Sequence, residues 1–188
     1  MLEDIVNLNE APIDNKKFAE NCRKELNQSG VVTLHNFLKL ETVAELVEEA
    51  KSRSSFAYFT NSTHNVYLTP KNENLGPEHV FNRQLSSSKG CITTDQIPGK
   101  SKLKELYFSD VFKNFICNVV EEKELYEYAD ALSSINVHFA AEGQELNWHF
   151  DNSKFAITLL LQAPDGGGNF EYVSNLRNAE KNEMNFAG

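Results

Sequence analysis

Cysteine is scarce: the 188 residues hold three thiols, Cys22, Cys91 and Cys117, far apart in the chain. That excludes a disulfide framework and a CxxC metal pair, and it points to a reducing cytoplasm. No apolar run approaches the ~20 residues that a membrane-spanning helix needs. The opening Met1-Leu2-Glu3-Asp4 is acidic and lacks an apolar h-region, so no secretory leader is expected. Positive charge is also short, with 18 Lys and Arg against 27 Asp and Glu and a net charge of −9. Residues 121–188 carry 12 acidic and 4 basic side chains. A nucleic-acid binder needs clustered cations, and the nearest cluster, Lys100, Lys102 and Lys104, reads as a solvated lead-in to a helix. What remains is 40% hydrophobic and 24% charged, the composition of an ordinary globular chain of one domain.

Three elements at the start read as scaffold. Asp14 is placed to cap a helix carrying Phe18, Cys22 and Leu26 on one stripe and stopping at Ser29-Gly30. Val31 to Phe37 is rich in β-branched residues and predicts a strand. Leu40 to Lys51 predicts a second helix, with Val43, Leu46, Val47 and Ala50 on its apolar face. Residues 52–100 are rich in Ser, Asn and Thr and predict binding loops with one or two short strands. Helical spacing returns from Leu103 to Val120. Cys22 and Cys117 fall on apolar helix faces and read as packing residues.

From Ser133 the period changes to two. Ile135, Val137 and Phe139 alternate with Asn136 and His138, and Asn147, His149 and Asp151 alternate with Trp148 and Phe150. Phe155 to Gln162 predicts a buried strand, Pro164 to Gly168 a tight turn, and Asn169 to Val173 another strand. Consecutive short strands with Gly-rich turns point to a sandwich or barrel. His149 and Asp151 form an HxD pair. Residues i and i+2 of a strand face the same way, so an imidazole and a carboxylate there can meet one metal ion side by side. On its own the pattern is short, and a half-buried strand His more often serves structure.

The longer context is more specific. Asn147-Trp148-His149-Phe150-Asp151-Asn152, followed by Phe155 to Gln162 and by Gly167-Gly168-Asn169-Phe170-Glu171-Tyr172-Val173, resembles the iron(II)- and 2-oxoglutarate-dependent dioxygenases. It is most similar to the branch of free-amino-acid hydroxylases and related radical halogenases. The resemblance implies an α+β chain, with N-terminal helices packed on a double-stranded β-helix of the jelly-roll, cupin-like kind. It would form a single oxygenase domain, 1–188, with helical and loop support over 1–132 and β-helix strands over 133–188. It implies Fe(II) and 2-oxoglutarate as cofactors, and O2 and a small, amino-acid-like molecule as reaction partners, with no nucleic acid and no membrane. His149 and Asp151 would be two of three iron ligands. Asn136, His138 and Thr158 are the candidates for holding 2-oxoglutarate, and His79 and Arg83 for holding substrate. The halogenases of this branch have a small residue where Asp151 stands, so hydroxylation is expected rather than halogenation.

One feature departs from the pattern. The family's third ligand, a distal His, and its 2-oxoglutarate-gripping basic residue lie well beyond the HxD pair. The 37 residues after Asp151 hold no His and one Arg, Arg177. The expectation is a chain covering roughly the first half of the β-helix and inactive by itself. A cupin site is disfavoured, because that signature wants a second His at 151 and a Glu near 155. A non-catalytic β-sandwich binding module with a decayed metal site is the alternative.

Overall fold

Capping chemistry sets the first helix. The computed structural model describes residues 1–178, 181 and 183–188. The Asn15 carboxamide accepts from Lys17 N at 2.8 Å and Phe18 N at 3.2 Å, so α1 runs Lys16–Ser29, capped one residue later than Asp14. It ends at Gly30, whose φ of 82° closes the last turn with Gly30 N on Leu26 O. α2 spans Leu40–Ser52, as its apolar spacing predicts. The expected strand over 31–37 does not form. Asn36 adopts a φ of 52°, and only Leu38 pairs, in a single bridge with Val6. A β-branched run makes a strand only where a neighbouring chain offers a ladder.

The helical stretch 103–120 is two helices, α3 (Lys102–Tyr107) and α4 (Asp110–Val120). The hydroxyl of Ser109 accepts from Phe112 N at 3.4 Å, so a new N-cap interrupts what the apolar spacing runs together. α1 and α4 pack directly, with the Phe18 and Phe115 rings stacked at 5.9 Å. Cys22 on α1 is buried, as expected, whereas Cys117 on α4 is only partly so. These helices belong to a first compact unit built from residues 1–56 and 92–137. Thr94 ties its far end: its hydroxyl accepts from Ile135 N at 2.7 Å and donates to Ile135 O at 2.9 Å.

The second unit comprises residues 57–91 and 138–188. Its sheet is antiparallel and three-stranded, in the order β1 (Tyr58–His64), β2 (Leu85–Ile92), β3 (Val137–Phe139). A Cβ at Gly90 would meet the Phe59 ring, so a larger residue there must displace that ring. The loop between β1 and β2 is ordered by two buried amides. Asn65 Oδ1 accepts from Tyr67 N and Thr69 N, while Asn82 binds the backbone of Asn72, Leu75 and Gly76. Over Phe155–Gln162 and Asn169–Val173 no ladder forms, contrary to the sequence pattern. Ile157 and Leu160 stand in solvent, since a strand lacking a partner ladder has no face to bury. The β-structure among the described residues is therefore this small sheet.

Candidate functional site

His149 and Asp151 do come together. Both lie outside the sheet, on an extended segment bound to it through Ser88 N on Glu145 O and Asn147 N on the Ser87 hydroxyl, at 2.8 and 2.9 Å. Phe150 N donates to Val66 O at 2.7 Å, which sets the Phe150 side chain opposite to its two neighbours. His149 Nε2 then stands 3.4 Å from Asp151 Oδ1. Two donors each about 2.0–2.2 Å from one ion at 90–110° are about 2.8–3.6 Å apart, so this separation is compatible with two adjacent coordination positions.

The Asn147 carbonyl orients the ring. His149 Nδ1 is 2.7 Å from the Asn147 carbonyl, which can only accept. Nδ1 therefore carries a proton, and Nε2 is the nitrogen that faces Asp151. A second imidazole, His64 at the end of β1, meets His149 edge to face at 6.0 Å. Its own Nδ1 donates to Asn65 O at 3.0 Å, and its Nε2 accepts from the Ser87 hydroxyl at 2.8 Å. His64 thus spends its lone pair on Ser87, and it fixes Ser87 as acceptor for Asn147 N. Among the described residues no group of three His, Cys, Asp or Glu is placed to hold a metal ion. The pair offers two donors to a metal ion, and among the described residues no third stands beside them.

On the far side of Phe150 lies an aromatic cluster. Tyr67 stacks on Phe81 at 5.1 Å and on Phe150 at 5.5 Å, and the Arg177 guanidinium covers Phe150 at 4.2 Å. His79 belongs to this cluster: its Nδ1 accepts from Phe81 N and its ring meets Phe186 at 4.9 Å. Arg83 is exposed just after that turn. His138 sits on β3 with Nε2 3.5 Å from Lys89 Nζ. Partial removal from water, then the Lys89 charge, holds its ring below the usual imidazole range. Asn136 belongs to the first unit and donates to Ser133 O, and Thr158 is exposed on the unpaired segment. Sequence spacing found the HxD pair but missed His64, Ser87 and Lys89, which lie in a polar stretch with no period to mark them.

A mixed helical and antiparallel fold with a His–carboxylate pair on an extended segment defines a class rather than an activity. The family comparison is narrower: a family model described as halogenase D matches residues 13–185. The chain belongs to the halogenase D family, an enzyme family of the oxidoreductase type. No curated protein and no solved structure matches. No helix among the described residues is long and apolar enough to cross a membrane.

Proposed function

We propose that the chain carries the His–carboxylate pair of an Fe(II)- and 2-oxoglutarate-dependent oxygenase that hydroxylates a small, amino-acid-like substrate. The observation that carries this reading is the 3.4 Å approach of His149 Nε2 to Asp151 Oδ1, with Nδ1 donating its proton to the Asn147 carbonyl. Iron with 2-oxoglutarate and O2 supplies the oxidation of an unactivated C–H bond. The chain's part is placement. Asn147 fixes the ring, Ser87 anchors Asn147, and the Phe150 side roots the segment in the aromatic cluster. The reading carries with it a double-stranded β-helix to which β3 and residues 144–151 contribute, and a cytoplasmic setting.

The family's name favours a second reading, halogenation. Against it stands Asp151, whose carboxylate fills the position that the similar halogenases leave open for chloride. That no third donor stands beside the pair among the described residues favours the non-catalytic module. An anaerobic titration of the protein with Fe(II) and 2-oxoglutarate separates enzyme from module. The weak visible charge-transfer band should appear with wild type and vanish with His149→Ala and Asp151→Ala at unchanged melting temperature. A wild type without the band, or variants that keep it, would end the proposal.

A further inference from the structure

Ser87 and His64 meet in an arrangement with its own chemistry. The register sets Ser62 opposite Ser87, and His64 stands two residues beyond Ser62 on β1. Directly opposed residues share a face, as do alternate residues of one strand. His64 and Ser87 are therefore diagonal neighbours on one face of the sheet, with His64 Nε2 2.8 Å from the Ser87 hydroxyl. His64 Nδ1 is 3.0 Å from the Asn65 carbonyl, which can only accept, so Nδ1 holds a proton. With the ring neutral, Nε2 carries the lone pair to which the Ser87 proton points. Asn65 is a rigid support, being buried and accepting from Tyr67 N and Thr69 N through its own side chain. His64 and Ser87 are each part exposed, so a reagent can reach them. Asn147 N donates to the Ser87 oxygen at 2.9 Å, where a donor favours the negative charge that grows as the proton leaves. Ser86 and Ser88 flank Ser87 on β2, and alternation turns both to the opposite face from His64.

We propose that Ser87 is a nucleophile activated by His64, with small activated carboxylic esters as its substrate class. A nucleophile, a base within hydrogen-bond reach and a third group orienting that base are the recurring parts of covalent acyl transfer. Ser87 Oγ attacks the ester carbonyl carbon while its proton passes to His64 Nε2. The bond from that carbon to the leaving oxygen then breaks, and His64 gives the proton to the departing group. Water cleaves the acyl-serine in the same way: its proton goes to His64, its oxygen to the acyl carbon, and the proton returns to Ser87 Oγ as the acid departs. The Asn65 carbonyl is a positioning group, holding the ring with Nε2 toward Ser87. The inference stands apart from the oxygenase reading, because it needs no metal and neither His149 nor Asp151.

The test treats the protein, in EDTA, with p-nitrophenyl acetate and with a fluorophosphonate probe that labels activated serines irreversibly. Released nitrophenol gives the rate, and peptide mass spectrometry locates the adduct. Both reagents should mark Ser87 and leave Ser86 and Ser88 unmarked, and urea-unfolded protein should lose the difference among the three. His64→Gln should slow both reactions on the order of 100-fold, the low end of what a general base contributes. Matched melting curves exclude unfolding, and His64→Asn serves if the glutamine variant fails to fold. The comparison of Ser87 with its two neighbours needs no variant at all. No adduct on Ser87, or adducts on Ser86 and Ser88 at the same rate, overturns the proposal. A folded His64→Gln that reacts as fast as wild type overturns it equally.

Discussion

Ser87 holds more of the candidate site than its size suggests. Its oxygen accepts from Asn147 N and its proton goes to His64, so one hydroxyl joins the β2 strand, the β1 end and the segment bearing His149. Ser87→Ala leaves a backbone N–H and an imidazole nitrogen without partners, which should cost about 1–3 kcal/mol in chemical denaturation. The same change should weaken Fe(II) binding about 10- to 100-fold, the scale on which groups behind metal ligands act. Asp151 bears on outcome: in chloride buffer the full-length enzyme should yield oxidised product with no chlorinated species by mass spectrometry, and a chlorinated major product would refute the hydroxylase reading. At His138 the folded ring releases its proton more readily than the unfolded chain, whose imidazole titrates near about 6.5. The unfolded state thus binds more protons as pH drops from there toward the lowered value, so stability falls in that window and levels off above it. His138→Gln should flatten that part of a pH–denaturation series. The HxD pair was legible because period two is a backbone property. His64 was not, because what brings it to His149 is cross-strand register, which no local spacing encodes.

Among the elements, α1 and α4 show what sequence period can deliver. Their apolar stripes meet as expected, and Phe115, 3% exposed and stacked on Phe18, is the centre of the contact. Phe115→Ala should cost about 3–5 kcal/mol by urea denaturation, the scale for emptying a large buried site. A loss below about 1 kcal/mol would show that the two helices are not packed as described. The limits of period reading are equally physical. Helical spacing runs from Leu103 to Val120 without marking the break, while a single hydroxyl capable of capping starts a new helix at Ser109. The strands at 31–37 and 155–162 were predicted from β-branched and apolar content, yet strandhood belongs to a pair, and the described residues offer them no partner. Conversely β1, Tyr58-Phe59-Thr60-Asn61-Ser62-Thr63-His64, has almost no apolar alternation and is a strand because β2 completes its hydrogen bonds.

For the molecule as a whole, Leu160 and Phe170, each 74% exposed, together with Ile157 and Val173, leave large apolar groups in water along residues 157–173. Side chains of this kind normally find a cover. The chain should therefore associate in sedimentation velocity despite a net charge of −9, and Leu160→Glu combined with Phe170→Glu should disperse it. A monodisperse wild type would remove that reading. Composition foretold the globular chain, but not its division into two units, each assembled from two separated stretches. Such interleaving has a consequence during synthesis. The Ser87 hydroxyl and the Asn147 amide it receives are 60 residues apart in the chain. At about 5–20 residues per second, the nascent β1–β2 hairpin waits about 3–12 s on the ribosome before the segment bearing His149 emerges to dock on it. For that interval half of the candidate site is an open polar ledge awaiting its other half, and slow codons between the two would lengthen the wait.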